Sequence, residues 1–192
     1  MRSRPPDALA AEKARLRKAC RAERKGLAHD AGERQADVFL SAIPLDAGAV
    51  VSGYWPFADE IDPRPLLAAL HDRGHALCLP VTKAGEALRF RAWAPGDALV
   101  PGPFDTREPA PEKTERRPDC LLVPLLAVDD EGYRLGYGGG FYDRTLAALG
   151  DALSVGLAFA FQRRERLPRG AHDRPLHWLV SENGATQFER PV

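Results

Sequence analysis

Long apolar runs are missing from this chain. Nowhere in its 192 residues does an uninterrupted hydrophobic stretch approach the roughly 20 residues a membrane-crossing helix requires. The first 18 residues are charged and carry no apolar signal core. A cytoplasmic location is therefore the expectation, with no membrane partner. An excess of one charge is missing too, with 27 basic against 27 acidic side chains. General binders of nucleic acid or of membrane surfaces ordinarily carry a basic excess, so no nucleic-acid partner is expected. Cysteine is scarce. Cys20, Cys78 and Cys120 are odd in number, far apart, and show neither metal-ligand spacing nor a C-x-x-C pair. Cys78 and Cys120 fall in apolar, strand-like runs, which suits buried thiols. His71 and His75 are four apart, but Gly74 lies between them near a helix end, which argues against a zinc pair. No internal repeat is visible.

What the chain does have is glycine, concentrated in one place. In Arg134-Leu135-Gly136-Tyr137-Gly138-Gly139-Gly140-Phe141-Tyr142-Asp143-Arg144, four of the five positions from 136 to 140 are glycine. Bare backbone lets amide N–H groups converge on one point and lets a bulky anion come close. A helix expected over 142–149 adds the positive end of its dipole. Arginines bracket the run, and Asp143 stands where a carboxylate can hold a metal beside bound phosphates. The stretch reads as a polyphosphate cradle. A plain turn needs only one or two glycines. No Gly-Lys-Ser/Thr follows, so this is not a Walker loop, and Phe141 occupies the place of the third glycine in the dinucleotide fingerprint. Asp143 equally suits a helix cap or a pair with Arg144.

The remaining pattern predicts one domain over 1–192. A long basic amphipathic helix is expected over 6–27 and a second helix over 30–43. Strands are expected over 49–54, 76–81, 88–93, 120–124, 154–159 and 178–180, the second and third placed to pair as a hairpin. A helix opens at Asp62-Pro63 and runs through His71, with Gly74 ending it. Residues 95–118, rich in proline, glycine and charge, read as a long loop, as do 129–140 and 162–175. Strands alternating with helices imply an α/β three-layer sandwich with a mostly parallel, Rossmann-like sheet. Ligands gather at the carboxyl ends of such strands. The loops at 55–62, 136–140 and 162–173 all follow strands and so are expected to meet.

These motifs resemble the 5-formyltetrahydrofolate cyclo-ligase family over nearly the whole chain, from about Lys13 to Glu182. The most specific match is Gly132 through Arg144, preceded by Val123-Pro124 and Asp129. Lys13-x-x-Leu16-Arg17, Tyr54-Trp55-Pro56-Phe57 with Glu60-Ile61-Asp62, Leu79-Pro80-Val81, and Gln162 to His172-Asp173 follow in the family's order. Pro63 stands where the family often has threonine, which looks like a helix-start choice.

The resemblance implies a reaction. The formyl oxygen of 5-formyltetrahydrofolate attacks the terminal phosphate of ATP, and a folate nitrogen then attacks the activated carbon. Phosphate departs, leaving 5,10-methenyltetrahydrofolate and ADP. It also implies residue roles. Residues 134–142 with Lys13 and Arg17, which are four apart on one helix face, are expected to hold ATP. Arg134, Tyr142 and Asp143 are expected at the reacting groups. Asp143 and Asp173 are the expected Mg²⁺ carboxylates. Glu60 is expected to accept paired pterin N–H donors, with Tyr54, Trp55 and Phe57 as an aromatic wall. Trp93 either closes that pocket or sits in the core. Lys83, Arg89 and Arg91 are candidates for a folate glutamate tail. A monomer is expected. A sugar-phosphate isomerase or acyl-transfer relative, its glycine loop holding one phosphate, is the alternative enzyme. A nucleotide-sensing or RNA-associated module is the non-enzymatic alternative.

Overall fold

The apolar runs that cannot alternate, such as Cys120 to Val123, belong to strands buried on both faces; in the computed structural model all four of those residues are fully buried. The structure describes residues 6–25 and 31–189. The chain runs α1 (Pro6–Arg24), α2 (Ala31–Ala42), β1 (Val50–Ser52), α3 (Arg64–Asp72), β2 (Ala76–Val81), β3 (Arg89–Ala92), β4 (Leu99–Pro101), β5 (Arg107–Pro109), β6 (Cys120–Pro124) and β7 (Ala127–Asp129). It continues through β8 (Arg134–Leu135), α4 (Phe141–Leu149), β9 (Leu153–Leu157), β10 (Arg163–Arg164), β11 (Trp178–Ser181) and β12 (Gly184–Gln187). The expected helix ends at 26–27 and the expected start at Asp30 lie outside the described residues.

Seven strands form the main sheet in the order β12-β11-β9-β6-β1-β2-β3. The five central strands are parallel, with Val51 opposite both Leu77 and Cys120. β3 and β12 close the two edges antiparallel. Helices α2 and α3 cover one face, burying Phe39, Leu66, Leu67 and Leu70 against Val51, Leu122 and Val155. α4 covers the other face through Leu146 and Leu149, packed on Leu121 and Val123. Each such leucine or valine contributes about 1.5–3 kcal/mol by leaving water. This is the expected three-layer sandwich.

Several segments differ from the sequence reading, among them β7 and, inside the expected loop 162–175, β10. Residues 95–118 are not a plain loop, since β4 and β5 pair antiparallel and Arg91 bridges to Glu115. Buried Glu108 explains the order there. Its Oε1 accepts hydrogen bonds from Thr82 N at 2.8 Å and Thr106 Oγ1 at 3.1 Å, tying the ribbon to the end of β2. Residues 129–140 likewise contain β8, which joins β7 and β10 in a second, three-stranded sheet. Fully buried Asp129 shapes that turn, accepting from Glu131 N, Tyr133 N and Leu167 N at 2.9–3.1 Å. β12, too polar to register as a strand, gains its order from pairing with β11.

Candidate active site

Reading outward from β1, the chain moves to β2 on one side, while β6 takes the other. That reversal of direction is where open α/β sheets bind ligands. A cleft of about 440 Å³ opens there, lined by Tyr54 beyond β1, Pro80 and Thr82 at the end of β2, and Pro124 at the end of β6. Every residue expected to hold ATP, metal or the pterin lines this one cleft, while Lys83, Arg89 and Arg91 do not. Lys13 and Arg17 come from α1, Tyr54, Trp55, Phe57 and Glu60 from the segment after β1, residues 134–143 from β8 through the first turn of α4, and Asp173 from the segment before β11.

The glycine run owes its path to conformations that side chains resist. Gly138 has φ +106° and Gly140 φ +66°, and a methyl group on Gly138 would lie 3.2 Å from the Arg17 guanidinium carbon. Two of the run's carbonyls are held by arginine side chains. Arg17 Nε donates to Gly136 O at 2.8 Å, and Arg144 Nη2 donates to Gly139 O at 2.8 Å. Gly140 then leads into α4, whose first-turn amides have no carbonyl within the helix to bind. The arrangement supplies N–H groups and dipole to an anion.

Around the loop, charge is balanced in pairs. Arg134, with a side chain 4% exposed, donates from Nη2 to Asp143 Oδ1 at 2.9 Å and from Nη1 to Arg174 O at 2.6 Å. Arg174 N adds a 3.0 Å bond to the same carboxylate oxygen. Asp143 is thus paired with Arg134 and not with Arg144, whose Nε reaches Glu86 O instead. Arg134 is held below its ordinary pKa by burial, an effect opposed by Asp143. Lys13 Nζ meets Asp173 Oδ2 at 2.5 Å, and Gly170 N donates to that oxygen at 2.7 Å. Burial, then Arg21, lowers the pKa of Arg17. Hard carboxylate oxygens beside an anion cradle suit Mg²⁺, which takes one or two carboxylates and completes its shell with phosphate and water. Among the described residues no cluster of three or more metal-ligating side chains forms a dedicated cage.

The other half of the cleft is aromatic. Trp55 packs edge-on to Trp93 at 6.2 Å, with the Arg64 guanidinium 5.3 Å over its ring. Trp93 is buried and belongs to the core behind this wall. Tyr54 is buried too, its hydroxyl donating to Ile61 O at 2.8 Å. Phe57 is 48% exposed and meets Tyr137 edge-on at 6.1 Å. Glu60 accepts from Phe57 N at 2.9 Å, and its pKa is raised by burial against the pull of Phe57 N, Tyr137 and Arg24. Burial, then the nearby Glu60 charge, pushes the Tyr137 hydroxyl up to about 12 and keeps the Tyr142 hydroxyl protonated.

Two contributors escaped the sequence reading. The β4–β5 ribbon brings Phe104 through Arg107 over the cleft, with Phe104 63% exposed and 5.9 Å from the Phe141 ring. Nothing in a proline-rich segment signals such a reach. Arg24, buried in the last turn of α1, donates from Nη2 to the Tyr137 hydroxyl. Here a signal existed, because positions 13, 17, 20 or 21, and 24 continue one helical stripe. Lys83 and Arg89 are paired with Glu86 and Glu115, and Arg91 donates to Pro109 O.

A mostly parallel sheet with a glycine loop lining the cleft at its switch point defines the class, an open α/β protein. The 5-formyltetrahydrofolate cyclo-ligase family model matches residues 9–182, and the chain belongs to that family. It is 34% identical to the 5-formyltetrahydrofolate cyclo-ligase of Escherichia coli K12 over 78% of this chain and 87% of that protein. It is 33% identical to the one from Mycolicibacterium smegmatis over 90% and 95%. The solved Aquifex aeolicus 5,10-methenyltetrahydrofolate synthetase superposes with a TM-score of 0.79 at 32% identity, over 94% of each chain. Among the described residues no helix is long and apolar enough to cross a membrane.

Proposed function

We propose that this chain converts 5-formyltetrahydrofolate to 5,10-methenyltetrahydrofolate with ATP and Mg²⁺, releasing ADP and phosphate. The observation that carries the reading is the shared cleft. Glycine run, helix cations and both candidate metal carboxylates line the same space as the aromatic wall and Glu60. Two substrates that must react with each other need such a space.

Positioning and charge neutralisation are what phosphoryl transfer asks of a protein. The amides of 136–140 and of the first turn of α4 hold the phosphates, with Lys13 and Arg17 as counter-charges. Glu60, oriented by Phe57 N, accepts the adjacent N–H donors of the pterin, whose ring lies along Trp55 and Phe57. Tyr142, kept protonated beside Glu60, donates a hydrogen bond within reach of both substrates. Arg134 holds the Asp143 carboxylate in place. Asp143 and Asp173 would hold Mg²⁺, which when bound neutralises phosphate charge. No protein nucleophile is required, since the formyl oxygen bonds to the terminal phosphorus as ADP leaves. The folate nitrogen then bonds to the formyl carbon, loses its proton, and phosphate leaves. The ribbon carrying Phe104 covers the cleft and limits water at the activated carbon.

The reading takes the chain as a single domain over 1–192 acting as a monomer. Three free, buried thiols fit a reducing, cytoplasmic setting. Incubation with 5-formyltetrahydrofolate, Mg²⁺ and ATP should give an ATP-dependent rise in the near-ultraviolet absorbance of methenyltetrahydrofolate. Folded protein giving no such rise would remove the assignment.

A further inference from the structure

A cation that closes an anion-binding loop ordinarily faces the anion. Arg144 does not line the cleft, although Gly138, Gly139 and Gly140 do. Its guanidinium is engaged by two backbone carbonyls instead. Nη2 donates to Gly139 O at 2.8 Å and Nε to Glu86 O at 2.9 Å. The guanidinium carbon also sits 5.1 Å from the centre of the Phe141 ring. Glu86 belongs to the turn between β2 and β3, closed by Glu86 N donating to Lys83 O at 3.1 Å. The next residue of α4 ties the helix to the same turn. Thr145 Oγ1 accepts from Leu88 N and donates to Phe141 O, both at 2.8 Å.

This clasp explains two of the glycines. A Cβ at position 140 would lie 2.8 Å from Arg144 Nη1, and one at 139 would lie 2.6 Å from the Phe141 ring. Both are well inside the roughly 3.5–4.0 Å of a favourable carbon contact. Glycine also leaves the peptide between them free to rotate, so something must fix its plane. A trans peptide points its C=O and its N–H in opposite directions. With Gly139 O held by Arg144, the Gly140 N–H is directed away from Arg144. That amide donates to nothing among the described residues, and neither do those of Gly138 and Gly139.

We infer that Arg144 is a positioning residue for the nucleotide. It fixes the Gly139–Gly140 peptide so that the Gly140 N–H is left for a phosphate oxygen, and it anchors that peptide to the β2–β3 turn. The two arginines of α1 and α4 then divide the run between them, Arg17 holding Gly136 O and Arg144 holding Gly139 O. The inference rests on the glycine run holding the triphosphate, as proposed above.

The test combines kinetics with amide resonances. Arg144→Met keeps an apolar stem against Phe141 and removes the donors. The ATP KM should rise about fivefold to tenfold, the size of a lost charge-assisted hydrogen bond, with the folate KM within about twofold. Tm should fall by no more than about 2 °C. Arg144→Lys keeps the charge but not the fork that spans two carbonyls, so it should recover only part of the ATP affinity. In wild-type protein, Mg²⁺ and ATP without folate should move the Gly140 amide proton downfield, and Arg144→Met should abolish that shift. An unchanged ATP KM in Arg144→Met, or both KM values rising together in step with a fall in Tm, would overturn the inference. If Arg144→Met does not fold, Arg144→Lys decides, a wild-type ATP KM overturning the two-carbonyl clasp. Amides of 138–140 that ignore ATP in the wild type overturn the phosphate-cradle reading itself. Amides that respond there, with the Gly140 shift equal in Arg144→Met, overturn only the role of Arg144.

Discussion

The two halves of the cleft handle charge in opposite ways. On the glycine side, Lys13 is matched with Asp173 and Arg134 with Asp143, each pair in direct contact. On the aromatic side, Glu60 accepts from the Phe57 amide and has no ion-pair partner among the described residues, and burial raises its pKa. The first arrangement stores ions that can exchange partners when a phosphate and a metal arrive together. The second keeps a carboxylate short of direct counter-charge, so that a ligand with paired N–H donors improves its surroundings. A site that joins a polyanion to a flat heterocycle needs both.

The sharpest way to break this contrast is Asp143→Asn. The amide keeps an oxygen for Arg134 Nη2 and Arg174 N but loses the charge that would hold Mg²⁺. kcat should fall by roughly 10²-fold or more, the scale on which loss of one charge-stabilising group acts on a developing transition state. Nucleotide affinity measured in EDTA should be nearly unchanged, while the gain that Mg²⁺ gives the wild type should vanish. A variant that still gains affinity with Mg²⁺ would remove Asp143 from the metal site. The folate KM, read in parallel, should barely move.

Much of this is legible in the amino-acid sequence. Strands with continuous apolar character, such as 76–81 and 120–124, were found with their observed limits because burial on both faces leaves no polar register to misread. The glycine run was legible because four glycines in five positions have few other uses. What stayed hidden depends on long-range pairing. The 95–118 segment looks like a loop from its prolines and glycines, yet Glu108 anchors it from 26 residues away, on Thr82. The pairing of Asp143 with Arg134, rather than its neighbour Arg144, is also set in three dimensions. It follows from β8 and α4 meeting across the loop.

Gly138→Ala sharpens the same comparison from the backbone. At φ +106° a Cβ is strained, and the methyl would press on the Arg17 guanidinium at 3.2 Å. A left-handed penalty of about 1–2 kcal/mol corresponds to a roughly tenfold rise in the ATP KM. The folate KM should stay within about twofold, because the aromatic half does not share that backbone. Equal losses for both substrates would mean that the halves are mechanically one.

The smallest expected effect lies in stability, and it tests whether the aromatic half really carries an under-compensated charge. Burial holds the Glu60 carboxyl above its ordinary value in the folded state. Between that ordinary value, about 4.3 for an unfolded chain, and the raised folded one, the native protein binds more protons than the unfolded protein. Stability contributed by this group is therefore fully present below pH 4 and declines as pH rises through the window. Glu60→Gln removes the titration. The variant should melt about 2 °C above wild type at neutral pH, with the gap closing as the pH is lowered toward 4, even though its folate KM is worse. Melting curves of both proteins across that range check it. A gap that is absent at pH 7 or independent of pH would mean that Glu60 is well compensated, and that the two halves differ in shape alone.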